Sequence, residues 1–172
     1  AVSRQWREYE RTNTAVLNAY VQPIIQYYFE RLEDALMKRG LTCPYYAMQS
    51  NGGISTFDQA VGSPLTLVES GPAGGVAGAA RIGEALGESE VLSLDVGGTT
   101  AKCSLIHGGR PTLNVDYKLE HTRIRPGHPV QVPVVDIVEI GSGGGSIARL
   151  DDRGALRVGP ESAGSTPGPA CY

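Results

Sequence analysis

The chain has 172 residues, enough for one domain with a core of its own. Fifteen Lys and Arg against eighteen Asp and Glu give a formal charge of −3 with the two signs interspersed, which speaks against a nucleic-acid or anionic-membrane partner. No apolar run approaches the ~20 residues of a membrane span. The cysteines Cys43, Cys103 and Cys171 are odd in number and lack a CxxC pair, the pattern of reduced thiols in a cytoplasmic protein. With no initiator Met and an abrupt end in PGPACY, the chain reads as an internal piece of something longer.

Residues 1–12 are polar and read as a loop. Asn13 or Thr14 then caps a helix with an apolar stripe at Leu17, Val21, Ile24, Tyr28, Leu32 and Leu36, ending at Gly40; Pro23 should kink or split it. The aromatic group Tyr27-Tyr28-Phe29 reads as packing. Residues 44–49 read as a short strand closed by the turn Ser50-Asn51-Gly52-Gly53, which is structural or touches a ligand. A short helix at 55–61 and a strand at 65–69 follow. The segment 71–80 opens a helix that runs to about Leu86 with almost no side-chain bulk in its first two turns. Glycine in a helix costs up to ~1 kcal/mol against alanine, so close approach of another helix or of a ligand should compensate.

The stretch LSLDVGGTTAKCSLI, residues 92–106, organises what comes next. Leu92, Leu94 and Val96 alternate with Ser93 and Asp95 as a half-buried strand, and Ala101, Cys103 and Leu105 resume the alternation on a returning strand. Between them Gly97-Gly98-Thr99-Thr100 offers two residues free to take positive φ and two small hydroxyl carriers. Such a turn either points consecutive N–H groups at an anion or is an ordinary Gly-Gly hairpin. Asp95, at the mouth of the turn, stands where a carboxylate could hold a hydrated Mg²⁺ beside phosphates. With Gly97 to Thr100 as the loop, Val96 faces Ala101 and Asp95 faces Lys102. A dinucleotide fingerprint fails on the spacing of Gly71, Gly74, Gly75 and Gly78, and no P-loop precedes Lys102.

Gly108-Gly109-Arg110 turns the chain into a strand at 112–117. Residues 118–133 carry His121, Arg123, Arg125 and His128 among prolines as a surface excursion. With Asp136 the histidines match no compact metal spacing, so solvated loop histidines are the simpler reading. Residues 134–140 form one strongly apolar strand ending in the Gly-rich run 141–146. Residues 147–150 and 155–158 pair as a hairpin across Asp151-Asp152-Arg153-Gly154, and the tail is irregular. The 23 glycines cluster at 52–53, 71–78, 97–98, 108–109 and 141–145, each at a strand end, as loops converging on one ligand site or as tight turns alone.

The runs MQSNGG, ESGPAGGVAGAA, LDVGGTTAKCSLI and VDIVEIGSGGGSIARLDDRGALRVGPESAGSTPGPACY closely resemble the hydantoinase A/5-oxoprolinase family, which includes the ATP-binding subunits of acetone and acetophenone carboxylases. The likeness extends from ERTNTAVLNAYVQPI to the last residue. It implies an α/β fold, an actin-like ATPase (ribonuclease H-like) lobe with a mixed sheet and flanking helices. The chain would be a single domain with a helical, connecting part at 1–90 and a β-rich part at 91–172.

By this resemblance Asp95, Gly97, Gly98, Thr99 and Thr100 are a phosphate-binding hairpin. Lys102, opposite Asp95, is within reach of an ion pair or of a bound phosphate, or is a solvated surface lysine, and Gly143, Gly144 and Gly145 are further candidates beside the nucleotide. The helix containing Gly71, Gly74, Gly75 and Gly78 would join two lobes by close helix pairing. The first phosphate hairpin is absent, so the chain would be part of a subunit about four times longer. ATP and Mg²⁺ are the implied cofactors, with Asp95 on the metal. The implied partners are the rest of the longer chain, a hydantoinase B-type second subunit or domain, and a small cyclic amide or ketone. The implied chemistry is activation of a carbonyl by phosphorylation, followed by ring opening or, in the alternative, ketone carboxylation. A non-catalytic nucleotide-sensing or assembly module is the alternative of another class. Many relatives have Thr-Asp where this chain has Ala101-Lys102, and His-Thr where it has Val138-Glu139.

Overall fold

The computed structural model describes residues 3, 5–122, 124–164, 166, 168 and 169; Arg123 and Cys171 lie outside the described residues. In chain order it contains α1 (Glu8–Lys38), β1 (Ala47–Met48), β2 (Ile54–Ser55), α2 (Phe57–Gly62), a 3-10 turn (Pro64–Leu67) and α3 (Ser70–Leu86). There follow β3 (Val91–Val96), β4 (Ala101–His107), β5 (Arg110–Pro111), β6 (Leu113–Asn114), β7 (Lys118–Leu119) and β8 (His128–Pro129). The last four strands are β9 (Val134–Val135), β10 (Val138–Ile140), β11 (Ser146–Leu150) and β12 (Leu156–Ser162). The fold is α/β, but every described ladder is antiparallel, so the expected mixed sheet has no parallel pair among the described residues. Strands that pair are joined by tight turns or by segments without a helix, and the long helical connection from β2 through α2 and α3 to β3 links strands of different sheets.

The chain forms two compact units, one of residues to Ala77 with Leu113–Val135, the other of Gly78–Thr112 with residues from 136 onward. The units therefore do not follow the compositional division at residue 90. In the first unit α1 begins at Glu8, earlier than expected, because Glu8 and Glu10 place carboxylates in its positive first turn. The supposed caps lie inside the helix and are used for packing. Buried Thr14 donates from Oγ1 to the Glu10 carbonyl (2.6 Å) and accepts from Gln131 N (2.9 Å). Asn13 Nδ2 donates to the Pro129 carbonyl at 2.8 Å. Pro23 does not split the helix, which runs unbroken for 31 residues.

The inward stripe also differs in its middle. Ile24 and Tyr28 are exposed, and Ile25 and Phe29 take their places. Two clusters fill this unit: Leu65, Val130, Val132 and Val134 with Leu17 and Val21, and Phe29, Ala47 and Ala60 with Ile25, Leu32 and Phe57. The expected strand at 65–69 is a 3-10 turn instead. Pro64 cannot donate to a ladder but suits the first position of a helical turn, and Thr66 Oγ1 donates to the Ser63 carbonyl at 2.7 Å. The short helix α2 starts as a capping box, Thr56 with Gln59. In α3, buried Ala73 and Val76 face inward; Gly74 lies against Met48 and Gly52 against Ala77, while Gly71 and Gly75 meet open space. Among the described residues no helix packs on these glycines: Met48 fills the room beside Gly74, and Gly78, like Gly71 and Gly75, meets open space.

In the second unit β10, β4 and β3 lie in that order in one sheet, with β5 also on β4, and β11 pairs with β12. The apolar run 134–140 is two strands because β9 pairs with β6 in the first unit and β10 with β4 in the second. Of the strand expected at 112–117 only Leu113–Asn114 pairs, as β6, with β5 before it, and Asp136 N donates to the Thr112 carbonyl at 2.8 Å where the second unit resumes. Residues Lys118–Leu119 and His128–Pro129 pair as β7 and β8, so part of the supposed excursion is a ladder. No helix among the described residues is long and apolar enough to cross a membrane.

Candidate functional site

The β3–β4 hairpin has the register its loop length dictates, with Val96 opposite Ala101 and Asp95 opposite Lys102. Gly97 N donates to the Thr100 carbonyl at 3.0 Å and closes the tip. Neither Gly97 nor Gly98 uses positive φ, contrary to expectation, because this single turn reverses the chain without it; positive φ belongs to Gly108 and Gly109. Gly98 is bare: a Cβ there would meet no atom within 4 Å. Among the described residues the N–H groups of Gly98, Thr99 and Thr100 meet no protein acceptor. Gly98 and Thr99 are exposed and Thr100 is half-buried under Gly143, so the tip carries unpaired donors of the kind that binds oxyanions.

The Gly-rich run beside it braces the tip. Gly144 N donates to the Gly97 carbonyl (2.9 Å) and Gly145 N to the Gly98 carbonyl (2.7 Å). Gly143 N donates to Ser146 Oγ at 2.9 Å. A Cβ on Gly143 would stand 2.5 Å from the Gly97 oxygen, and one on Gly145 2.8 Å from the Gly98 oxygen. These glycines permit backbone to lie on backbone, and their N–H groups are engaged with the protein rather than offered to a ligand. The glycine clusters therefore do not all converge. Those at 97–98 and 143–145 meet, Gly108 and Gly109 sit at the other end of β4, and Gly52 packs against α3 in the first unit.

Register also sorts the side chains of the sheet. Asp95, Lys102 and Glu139 form one cross-strand row on the face that carries Ser93, Ser104 and Val91. Lys102 Nζ donates to Glu139 Oε1 at 2.7 Å and to Thr100 Oγ1 at 3.0 Å. The Lys102 ammonium, then the Thr100 hydroxyl, hold the Glu139 carboxyl below the usual glutamate range. Asp95 is exposed. The opposite face carries Leu92, Leu94, Val96, Leu105, Val138 and Ile140, all more than half exposed, where the alternation in β3 had predicted burial. The covered face is the polar one, on which Gly83 of α3 approaches Val91. Sequence reasoning recorded Glu139 only as a departure; the alternation V-E-I after the run 134–137 was the available signal that its side chain opposes those of Val138 and Ile140.

Among the described residues no group of three or more His, Cys, Asp or Glu side chains gathers as a metal site. The lone carboxylate of Asp95 fits Mg²⁺ only as an ion shared with phosphates and water. Cys43 and Cys103 are free thiols.

A family model described as hydantoinase/oxoprolinase matches residues 11–172. The chain belongs to the hydantoinase/oxoprolinase family. It is similar to the alpha subunit of caprolactamase from Pseudomonas jessenii, 39% identical over 168 residues that make up 98% of this chain and 23% of that one. The crystal structure of that ATP-dependent caprolactamase aligns with a TM-score of 0.75 at 37% identity over 98% of this chain and 23% of that one. A nucleotide-free acetone carboxylase aligns with a TM-score of 0.71 at 31% identity over 93% of this chain and 22% of that one. The gamma subunit of acetophenone carboxylase from Aromatoleum aromaticum is 36% identical over 169 residues, 96% of this chain and 22% of its own length. The domain is therefore related to enzymes of cyclic amides and of ketones, it has the actin-like α/β fold, and it spans about a quarter of these relatives. Several of them are named as subunits of larger enzymes.

Proposed function

We propose that this chain is the nucleotide-binding part of an ATP-dependent cyclic amidohydrolase. The observation that carries the reading is the hairpin tip: bare Gly98, three consecutive N–H groups without a protein acceptor, and a carboxylate and an ammonium at its base. The N–H groups of Gly98, Thr99 and Thr100 would take phosphate oxygens, Lys102 would neutralise charge, and Asp95 would hold Mg²⁺ through its hydration shell. Gly143, Gly144 and Gly145 would keep the tip in shape. ATP supplies a phosphoryl group that turns a poor carbonyl electrophile into a good one. That chemistry asks the protein for positioning and charge neutralisation rather than a nucleophile, which suits this donor set.

The similarity to caprolactamase favours a lactam-like substrate, and the rest of the longer chain and a hydantoinase B-type partner would complete the enzyme. The likeness to acetone and acetophenone carboxylases supports a second reading, activation of a ketone for carboxylation. The deciding experiment gives full-length protein and its partner subunit ATP with 5-oxoproline, hydantoins, caprolactam or ketones plus bicarbonate. Phosphate release coupled to ring opening supports the first reading, and coupling to ketone consumption the second. ATP turnover with no substrate consumed would leave a nucleotide-sensing module.

A further inference from the structure

The row Asp95, Lys102, Glu139 places one cation between two carboxylates, directly below the tip. The Lys102 side chain is 22% exposed and that of Glu139 45%, so the ammonium is partly enclosed by its partners while the carboxylate remains open to solvent. Through Thr100 the pair is tied to the last residue of the tip itself. A polyphosphate seated on the N–H groups of Gly98, Thr99 and Thr100 would bring several negative charges to a cation that a carboxylate already holds.

We propose that Glu139 is an electrostatic gate for the nucleotide: it holds Lys102 in the free protein and yields the ammonium to a bound triphosphate. This rests on the hairpin being the phosphate site. A half-exposed ion pair is a weak tether, and a multiply charged ligand outcompetes a single carboxylate for the same ammonium. An ammonium already tied to the tip needs only a small movement to change partners. Glu139 is thus a positioning residue acting through Lys102, and its effect grows with the number of phosphates.

The test measures binding of ATP, ADP and AMP to the full-length protein by calorimetry at fixed ionic strength, for wild type, Glu139→Gln, Lys102→Met and the double variant. Glutamine keeps an oxygen where Lys102 donates but removes the competing charge. The expected result is that Glu139→Gln tightens ATP by about three- to tenfold and AMP by less than about twofold. The gain should vanish in the Lys102→Met background and shrink at high salt. Unchanged or weaker ATP binding by a folded Glu139→Gln, equal gains for ATP and AMP, or a gain that persists without Lys102, would overturn the gate. Gly98→Val separates the two levels. If it abolishes ATP binding while Glu139→Gln does nothing, only the gate fails; if it leaves ATP binding intact, or if wild type binds no ATP, the phosphate reading falls and the gate with it.

Discussion

Gly143→Ala is the sharpest perturbation of the bracing loop. A Cβ at this position would lie 2.5 Å from the Gly97 oxygen, 2.8 Å from Thr100 N and 2.8 Å from the Thr99 carbonyl carbon, all backbone atoms of the tip. No side chain can rotate away, so the run must lift off the tip. Overpacking of this kind costs about 1–3 kcal/mol. The same movement stretches the bonds from Gly144 N to the Gly97 oxygen and from Gly145 N to the Gly98 oxygen, about 0.5–1.5 kcal/mol each. Alanine returns roughly 0.4–1 kcal/mol through the unfolded state. The net loss is about 1–5.6 kcal/mol, felt first as opening of the tip. Hydrogen exchange on the full-length protein should therefore show the amides of Gly144 and Gly145 exchanging faster by on the order of 5- to 10,000-fold. Gly98→Ala is the control, since its Cβ meets nothing within 4 Å and should leave the same amides unchanged. Equal exchange in Gly143→Ala and wild type would refute the bracing role.

Gly98→Val should abolish ATP-dependent turnover of the full-length enzyme while its thermal midpoint moves little, because the branched side chain enters only the open space over the tip; normal nucleotide binding would make the tip merely structural. A protein of residues 1–172 alone should bind ATP no more tightly than millimolar and turn none over, and substantial ATPase activity would show that this part needs no more of the chain. The Lys102–Glu139 pair has a pH signature of definite sign. Its carboxyl is depressed in the folded state, so the stabilisation is fully present above the ordinary glutamate value of 4.5 and is lost as pH falls through the lower folded value. The stability gap between wild type and Glu139→Gln should accordingly be constant near neutrality and close in acid; a gap that widens below pH 4 would contradict the assignment.

Local chemistry was legible and long-range choices were not. The register of Asp95 on Lys102 followed from a four-residue loop, and the β11–β12 hairpin from Asp151 and Gly154. There Asp151 Oδ1 accepts from Arg153 N and Ala155 N at 3.0 and 2.9 Å, and Gly154 takes φ 74°. The split of 134–140 was hidden because a lone Asp136, with apolar residues on both sides, is the only mark of the place where the chain leaves β6 and joins β4. The 3-10 turn at Pro64–Leu67 mimicked a strand because Leu65 and Leu67 alternate, yet they enter different clusters. The onset of α1 was lost in a charged segment whose acids are the reason it is helical. In the site, the hairpin glycines could be read directly, but the division of labour between Gly98 and Gly143 depends on which backbone lies against which. No spacing rule carries that information.

The inverted sheet leads to the last prediction. Alternation in β3 marks Leu92, Leu94 and Val96 as a face to be covered, and cross-strand register adds Leu105, Val138 and Ile140 to it. All six side chains are between 52 and 66% exposed. Among the described residues β3 pairs on one side only, so alternate residues along its six-residue length turn unpaired backbone N–H and C=O groups outward. Apolar face and open edge together are the combination that soluble monomers avoid. Residues 1–172 made alone should therefore self-associate at micromolar concentration, detectable by sedimentation velocity. Leu94→Lys should reduce that association by placing a charge at the centre of the patch without disturbing the tip, since position 94 points away from the row that contains Lys102. In the full-length protein the same substitution should cost about 2–4 kcal/mol if the face is covered there. A monomeric 172-residue chain, or a Leu94→Lys variant that associates as wild type does, would show that this face and edge are shielded by something other than a partner surface.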